Sequence, residues 1–307
     1  MSAVAASDDF VRVFEVGPRD GLQNEAAQVP TPVKVELINR LSNAGFPMIE
    51  ATSFVSPKWI PQLADASGVL AAIERKPGVR YPVLVPNMKG LEGALASGVK
   101  DIAVFTAVSD AFNLKNINCT TAESLQRFAP VLERAKAEGL WVRCYVSTAM
   151  GCPYQGRIPE ADTVKLSAQL YAMGCEEIVI SDTIGVGTAQ QARSLLQACA
   201  SEIPMKHLGV HFHDTYGQAL ANVFACLDIG VRIVDSSVAG LGGCPYAQGA
   251  SGNLASEDLI YQLHGLGLRT GIDLDAVCDT ARWINAALNR APASKLARIP
   301  NEKRFRQ

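Results

Sequence analysis

The chain lacks the sequence features that mark several broad classes of protein. No apolar run approaches the ~18 residues that a membrane-spanning helix needs. The formal net charge at pH 7 is -2, so there is no excess of positive charge with which to bind a nucleic-acid backbone. Hydrophobic residues make up 48% of the chain and charged residues 19%, unlike the composition of disordered chains. We therefore expect a folded protein with no membrane span and no nucleic-acid partner.

Signs of secretion are also missing. The eight cysteines include no CxxC pair, and a chain of 307 residues can bury a large core without disulfide bonds. The first ten residues contain no Lys or Arg and already include Asp8 and Asp9, unlike a secretory signal or an arginine-rich transit peptide. We expect reduced thiols and a cytoplasmic location.

Short apolar runs alternate with segments of helical periodicity from residue 11 onward. The runs are continuously apolar, which indicates strands covered on both faces, and the helices supply the crossovers that parallel pairing requires. The eight strand candidates are Val11–Val16, Met48–Phe54, Tyr81–Val85, Asp101–Thr106, Leu140–Val146, Glu177–Ser181, His207–His213 and Ile233–Val238. They predict a TIM (β/α)₈ barrel of the α/β class, over about residues 11–250 of a single domain that spans residues 1–307.

Helix signals agree with this architecture. Thr31 and Pro32 are predicted to open one helix as its N-cap and first residue, and Gly45 to close it. Residues 253–264 and 273–288 predict two additional helices after the barrel, followed by a tail from residue 297 that has little to bury. A doubly wound dinucleotide-binding sheet is the alternative, but no GxGxxG motif follows the first strand.

Polar side chains collect where the predicted strands end, which is the face that carries the active site of a TIM barrel. The first strand leads into Arg19 and Asp20, a pair that taken alone is better explained as a structural ion pair. The seventh strand ends in His211 and His213, and the two-residue period of a strand points both imidazoles to one side. Packed core histidines are the alternative, but neutral imidazoles at that spacing can share one cation.

Asn253, just beyond the eighth strand, can add an amide oxygen to this group. Two imidazoles, the Asp20 carboxylate and an amide oxygen form a donor set without a thiolate. That mixture argues against structural zinc and for Mg²⁺ or Mn²⁺, whose octahedral preference leaves positions for water or a chelating substrate. We predict Mg²⁺ or Mn²⁺ as the cofactor of Lewis-acid chemistry.

A glycine-rich stretch follows the eighth strand and contains Cys244. Loops at this place in a barrel often bind phosphate, and a buried, inert cysteine is a second interpretation. The glycines at 240, 242 and 243 favour a third, in which a flexible loop brings the thiol over the site as a catalytic group. The other seven cysteines are expected to have no role in the chemistry.

Two further carboxylates stand at strand positions. Glu50 is a charge within an otherwise apolar strand and is expected to hold Arg19, because a buried acid needs a partner. Asp182 stands at the exit of the sixth strand, where it could reach a substrate or a water on the metal.

These segments, in this order, resemble the hydroxymethylglutaryl-CoA lyases, a branch of the TIM-barrel metallolyases that also includes isopropylmalate and homocitrate synthases. The resemblance extends over nearly the whole chain and is carried by GPRDGLQNE, IEATSFVSPKWIPQ, GCPYQG, SDTIGVG, HFHDTYGQA and SVAGLGGCPYAQGASGN. The last of these resembles the lyase signature closely, whereas Arg-Asp and His-x-His mark only the superfamily. The resemblance implies divalent-metal-dependent cleavage of 3-hydroxy-3-methylglutaryl-CoA into acetyl-CoA and acetoacetate.

The same resemblance implies a role for each residue singled out above. Asp20, His211, His213 and Asn253 are implied as metal ligands, Arg19 as the donor to an enolate oxygen, Cys244 as a mobile acid/base, and Glu50 and Asp182 as supporting residues. The base that takes the hydroxyl proton stays open among His211, Asp20 and Asp182.

Coenzyme A contacts are implied near Asn289. Animal lyases often have a lysine two positions further on, where this chain has Ala291, so Arg290 or Lys295 is expected to take over that contact. The implied partners are a CoA thioester substrate and a second copy of the chain in a homodimer.

Two other functions stay open on sequence alone. A condensing synthase, which joins an acyl-CoA to a 2-oxo acid, belongs to the same superfamily, but synthases usually carry accessory sequence after the barrel. A barrel retained only as a binding scaffold is disfavoured, because each position that the chemistry needs holds a competent residue.

The glycine-rich loop leads to a prediction about Cys244. If its thiol is reachable while thiols in the barrel body are protected by packing, limited alkylation should modify Cys244 first, as measured by peptide mapping. Cys244→Ser places a much weaker acid at the same position, so it should retain metal and substrate binding but lose most of kcat. Near-normal turnover by the serine variant would remove Cys244 from the mechanism.

Overall fold

The computed structural model describes residues 9–25, 27–243 and 252–305, and the strands within these ranges pair in parallel in one sheet. The strands are β1 (Arg12–Glu15), β2 (Met48–Ile49), β3 (Thr52–Ser53), β4 (Val83–Leu84), β5 (Asp101–Ala107), β6 (Trp141–Ser147), β7 (Glu177–Asp182), β8 (Leu208–Phe212) and β9 (Ile233–Ser236). The helices are α1 (Thr31–Asn43), α2 (Ala66–Ala72), α3 (Met88–Ala96), α4 (Asp110–Asn116), α5 (Thr121–Ala137), α6 (Glu160–Ala172), α7 (Ala189–Ala200), α8 (Ala219–Leu227), α9 (Ser256–Gly265) and α10 (Leu274–Ala287). None of these described helices is long and apolar enough to cross a membrane.

The sheet closes into a barrel through its second strand. Its order is β2-β1-β9-β8-β7-β6-β5-β4-β3, so β2 and β3 lie at the two ends of the order although only Glu50 and Ala51 separate them in sequence. The Glu50 amide donates to Glu15 on β1 at 2.8 Å, and the Ala51 amide donates to Pro82, next to β4, at 3.0 Å. β2 and β3 are therefore two halves of one barrel strand. Counted in this way, the barrel has the eight strands predicted from the sequence.

Apolar side chains form a continuous shell between the strands and the surrounding helices, whereas the barrel interior is mixed. Two small apolar clusters lie inside the barrel, one around Phe14 and Met48 and the other around Tyr145 and Val179. Between them lies the guanidinium of Arg143 on β6, which is 3.6 Å from the centre of the Phe14 ring on β1. β6 and β1 are not neighbours in the sheet, so this contact crosses the interior.

The predicted barrel and the two helices after it are confirmed, with three local differences. The second strand is split because Glu50 and Ala51 pair with different neighbours. Thr31 is not the N-cap of α1, because Pro30 occupies that position and the Thr31 hydroxyl donates to Asp65 at 2.6 Å. The tail also buries more than its composition suggested, since Ala297 belongs to the main core.

Two buried acids, Glu15 and Glu257, support the turn that follows β9. Glu15 accepts hydrogen bonds from the amides of Gly17 and Val238 at 2.8 and 2.9 Å and from the Ser256 hydroxyl at 2.5 Å. Glu257 accepts from the amide of Ala239 at 3.1 Å. Burial raises the pKa of Glu15 to about 8 and that of Glu257 to about 7. Both acids therefore retain a proton in the folded protein at pH values where the unfolded chain has released it.

This difference predicts that the free energy of unfolding falls as pH rises from about 5 to about 8. For Glu257 alone, the change from the ordinary value of 4.5 to about 7 corresponds to a decrease on the order of 3 kcal/mol. Glu257→Gln keeps an oxygen for the Ala239 amide and cannot ionise, so its urea-unfolding free energy should depend less on pH. Glu74→Gln, at an exposed site, should keep the wild-type slope. Parallel pH profiles for the wild type and Glu257→Gln would contradict this prediction.

Candidate active site

A tight helical turn after β1 presents Arg19 and Asp20 at the C-terminal face of the barrel. The turn is a single π-helical stretch, Gly17–Gly21, and it packs against the segment that follows β9. A Cβ atom on Gly21 would lie 2.6 Å from the Leu241 side chain, so only glycine allows this close approach. The Arg19 guanidinium donates to the Asp20 carboxylate at 2.7 Å, which turns the two side chains toward each other.

The two histidines lie beside Asp20, as the strand period predicted. His211 on β8 and His213 just after it are both buried, and their ring centres are 5.4 Å apart. One ligand atom from each of Asp20, His211 and His213 lies within 4.8 Å of the others. This is the only group of three or more His, Cys, Asp or Glu side chains among the described residues with the spacing of a metal site.

Asn253 joins the same group from the segment before α9. It forms an antiparallel bridge with His213, and its side-chain amide nitrogen donates to Asp20 at 2.8 Å and to the Leu241 carbonyl at 3.2 Å. Its Oδ1 atom is buried and has no hydrogen-bond partner in the described part of the chain. A buried, unpartnered amide oxygen beside a carboxylate is a suitable donor for a cation.

The electrostatics of these side chains favour a bound cation. Burial lowers the pKa of His213 to about 4, with His211 contributing in the same direction, so the imidazole is neutral and keeps a lone pair at physiological pH. Burial alone would raise the pKa of Asp20, but Arg19, the two histidines and Asn253 outweigh it and lower that pKa well below its ordinary value. The Nδ1 atom of His213 is likewise buried without a partner among the described residues. An ionised carboxylate, a neutral His213 imidazole and an unpartnered amide oxygen fit the predicted Mg²⁺ or Mn²⁺ site.

Glu50 holds Arg19 from the opposite side, as the sequence suggested. The Glu50 carboxylate is fully buried and accepts from Arg19 Nε at 2.7 Å and from the Tyr145 hydroxyl at 3.2 Å. The carboxylates of Glu50 and Asp20 raise the pKa of Arg19 above its ordinary value although burial opposes them, so the guanidinium stays charged. Arg19 is thereby fixed as a permanent positive charge beside the candidate metal ligands.

Asp182 lies close to this group but is turned toward a loop. Its two oxygens accept from the backbone amides of Val186 at 3.2 Å and Gly187 at 2.7 Å. Its backbone carbonyl accepts from the amide of His213 at 3.2 Å. Burial raises the pKa of Asp182, against the effect of the loop amides.

The two remaining predicted site residues are Cys244 and Asn289. Cys244 lies outside the described residues. Asn289 is exposed just after α10, with a positive φ of 50°. Its neighbour Arg290 forms an ion pair with Glu25 at 2.5 Å, which brings this segment to the face that carries Arg19 and Asp20.

Sequence reasoning did not identify Arg143, Tyr145 and Asp235. Arg143 is fully buried and donates to Asp235 at 2.8 Å and to the Tyr145 hydroxyl at 3.3 Å. Asp235 in turn lies 3.1 Å from Nδ1 of His211. A signal was present, because Arg143 within the apolar fifth strand candidate and Asp235 within the eighth each require a buried partner.

Comparison with known proteins gives a consistent family assignment. A family model described as HMGL-like matches residues 10–284. The mitochondrial hydroxymethylglutaryl-CoA lyase of Mus musculus is 58% identical over 94% of this chain and 88% of its own length.

Solved structures agree with the sequence relatives. A hydroxymethylglutaryl-CoA lyase from Pseudomonas aeruginosa superposes with a TM-score of 0.93 at 51% identity, covering 95% of this chain and 97% of that one. An HMG-CoA lyase from Acinetobacter baumannii, solved in complex with coenzyme A and 3-methylmalate, gives a TM-score of 0.92 at 37% identity and covers both chains completely. With a family model that spans most of the barrel and relatives this similar over nearly their whole length, the chain belongs to the hydroxymethylglutaryl-CoA lyase family of carbon-carbon lyases.

Proposed function

We propose that this chain cleaves 3-hydroxy-3-methylglutaryl-CoA into acetyl-CoA and acetoacetate. The observation that carries the proposal is the grouping of Asp20, His211 and His213 within 4.8 Å beside the fixed charge of Arg19, in a chain of this family. The names of its relatives supply the substrate, and the coenzyme A complex of the Acinetobacter baumannii structure supports a CoA thioester. The sequence relatives favour this reaction over the condensing synthase that the motifs alone left open.

Asp20, His211, His213 and Asn253 are the proposed ligands of Mg²⁺ or Mn²⁺. When bound, such a cation supplies Lewis-acid polarisation of the substrate hydroxyl and of a neighbouring oxygen. For Asn253 to serve as a ligand, its Oδ1 atom must turn toward the cation. Because Nδ2 now contacts Asp20, a rotation about the terminal side-chain bond suffices.

The reaction requires a base, an electrostatic stabiliser and an acid from the chain. The substrate hydroxyl loses its proton and becomes the ketone of acetoacetate, while the electron pair of the broken bond between C2 and C3 forms the enolate of acetyl-CoA. A proton must then be delivered to the enolate carbon to give the methyl group. The chain therefore takes up one proton and returns one in each cycle.

Asp182 is the proposed acceptor of the hydroxyl proton, directly or through a water. The lowered pKa of Asp20 makes that carboxylate a weak base and a good ligand, whereas burial raises the pKa of Asp182 toward the range in which a base is effective. His211 lies close enough to Asp182 to lower the pKa of that carboxyl group, against the effect of burial. The amides of Val186 and Gly187 hold the Asp182 carboxylate in one orientation.

Arg19 is the proposed donor to the enolate oxygen. Glu50 and Asp20 hold its guanidinium on two sides, so its position is set before the substrate binds and little reorganisation is needed as charge develops. A preorganised donor of this kind can lower the activation free energy of the reaction by about 3 kcal/mol. Cys244 is the proposed acid for the enolate carbon.

We propose that the coenzyme A moiety extends toward Asn289. In the described part of the chain Arg290 is paired with Glu25, whereas Lys295 is exposed and has no ion pair there. Lys295 is therefore the better candidate for a phosphate contact than Arg290.

A homodimer and a cytoplasmic location also remain proposals. The dimer is inferred from the family resemblance alone. The seven described cysteines are all free thiols, which supports a reducing compartment, although the Mus musculus relative is named as mitochondrial.

Metal removal tests the proposed ligands. Production of acetoacetate should disappear in EDTA and return with Mg²⁺ or Mn²⁺, as measured by a coupled acetoacetate assay. His213→Ala should weaken Mn²⁺ binding, whereas His207→Ala, before the start of β8 at the other end of the barrel, should not. Full turnover by metal-free protein would exclude the cation from the mechanism.

Replacement of Arg19 tests its role in the transition state. Arg19→Gln should lower kcat by about 100-fold or more with little change in KM, because the lost interaction forms mainly as enolate charge develops. Arg134→Gln, exposed on α5, is the matched control and should leave both constants unchanged. A large increase in KM with an unchanged kcat would instead assign Arg19 to ground-state binding.

A further inference from the structure

Asp235 contacts a candidate metal ligand from inside the barrel. Its Oδ2 atom lies 3.1 Å from Nδ1 of His211, and both residues are buried on the neighbouring strands β9 and β8. A carboxylate is only an acceptor when ionised, so the hydrogen on the imidazole must be on Nδ1 for this bond to form. In the neutral form of the ring that binds a cation, the lone pair is then on Nε2, the nitrogen that faces Asp20 at 4.0 Å.

Asp235 is itself held in one orientation by Arg143. Nη2 of Arg143 donates to Oδ1 of Asp235 at 2.8 Å, which leaves Oδ2 for His211. The other side of the guanidinium lies 3.0 Å from Glu177, and its face covers the Phe14 ring. Because these groups are almost wholly buried, Asp235 has no solvent-facing orientation as an alternative.

His213, the second imidazole of the candidate site, has no carboxylate partner corresponding to Asp235 among the described residues. Its Nδ1 atom is buried and has no hydrogen-bond partner among the described residues. Among the described residues, therefore, His211 has a charged group that fixes which ring nitrogen carries the hydrogen, and His213 has none at Nδ1. Metal-binding histidines generally depend on such a partner for ring orientation and basicity.

We propose that Asp235 is a positioning residue, which fixes His211 in the form that presents the Nε2 lone pair to the metal. This inference rests on the metal site of the proposed function. Arg143 contributes by holding the Asp235 carboxylate in the orientation that leaves Oδ2 for His211.

Asp235→Asn changes this arrangement in a defined way. The oxygen of the new amide should remain on Arg143, so its nitrogen would face Nδ1 of His211 and donate to it. The imidazole hydrogen would then move to Nε2, the nitrogen that the metal needs free. We expect the Kd for Mn²⁺ to rise about 10- to 100-fold, as measured from the free-ion signal in electron paramagnetic resonance.

A second readout needs no metal and no turnover. In ¹⁵N spectra of histidine-labelled protein, the His211 signals, assigned with a His211→Gln variant, should report hydrogen on Nδ1 in the wild type and on Nε2 in Asp235→Asn. Retention of the wild-type form together with unchanged Mn²⁺ binding in Asp235→Asn would overturn the inference.

Glu177→Gln is the matched control. It removes a carboxylate from the same buried Arg143 but does not touch His211, so Mn²⁺ binding and the His211 spectrum should match the wild type. Equal weakening by Glu177→Gln and Asp235→Asn would overturn the inference, because the effect would then come from the disturbed arginine. Wild-type protein that does not bind Mn²⁺ would contradict the proposed metal site itself.

A double variant covers the case in which Asp235→Asn does not fold. Arg143→Met combined with Asp235→Asn removes both buried charges together and avoids an unpaired guanidinium. In this variant the new amide is free to rotate, so the His211 spectrum should show both the Nδ1-protonated and the Nε2-protonated imidazole. The variant should also bind Mn²⁺ more weakly than the wild type. A single Nδ1-protonated form with wild-type binding would again contradict the proposal.

Discussion

The buried guanidinium of Arg143 is the interaction on which both halves of the site depend. On one side it orients Asp235, which contacts His211. On another it donates to the Tyr145 hydroxyl, which donates in turn to Glu50, the partner of Arg19. The candidate metal ligands and the candidate enolate donor are thus connected through one side chain that has no exposed surface.

Opposite charges offset one another in the mostly buried interior of the barrel. Four carboxylates, on Asp20, Glu50, Glu177 and Asp235, stand against the three guanidinium groups of Arg12, Arg19 and Arg143. Among these side chains there is one more acidic group than basic groups. The excess lies where a divalent cation is proposed to bind, so binding would offset repulsion that otherwise remains in a region of low dielectric.

The barrel and the candidate metal-ligand group could be predicted because both follow from local periodicity. Successive apolar runs specify parallel strands, and residues at strand ends must meet at one face, which brings Asp20 and His211 together although they are far apart in sequence. The pairing of Glu50 with Arg19 followed from the need of a buried acid for a partner.

Contacts across the barrel could not be predicted in the same way. Arg143 and Asp235 are 92 positions apart on strands that are not neighbours, so their contact depends on strand register and barrel closure. The split second strand and the Pro30 cap of α1 likewise depend on which neighbour satisfies each backbone group. Family resemblance supplied the proposed substrate and the proposed acid role of Cys244, neither of which follows from periodicity.

The contrast between the apolar outer shell and the mixed interior has a consequence for sequence change. In the outer shell, an isoleucine and a leucine can exchange with small penalties that largely add. Inside the barrel, Arg143, Asp235 and Tyr145 share hydrogen bonds, so the effect of replacing one depends on which partners remain. Divergence among related barrels should therefore proceed residue by residue on the outside and by coordinated replacement of several residues on the inside.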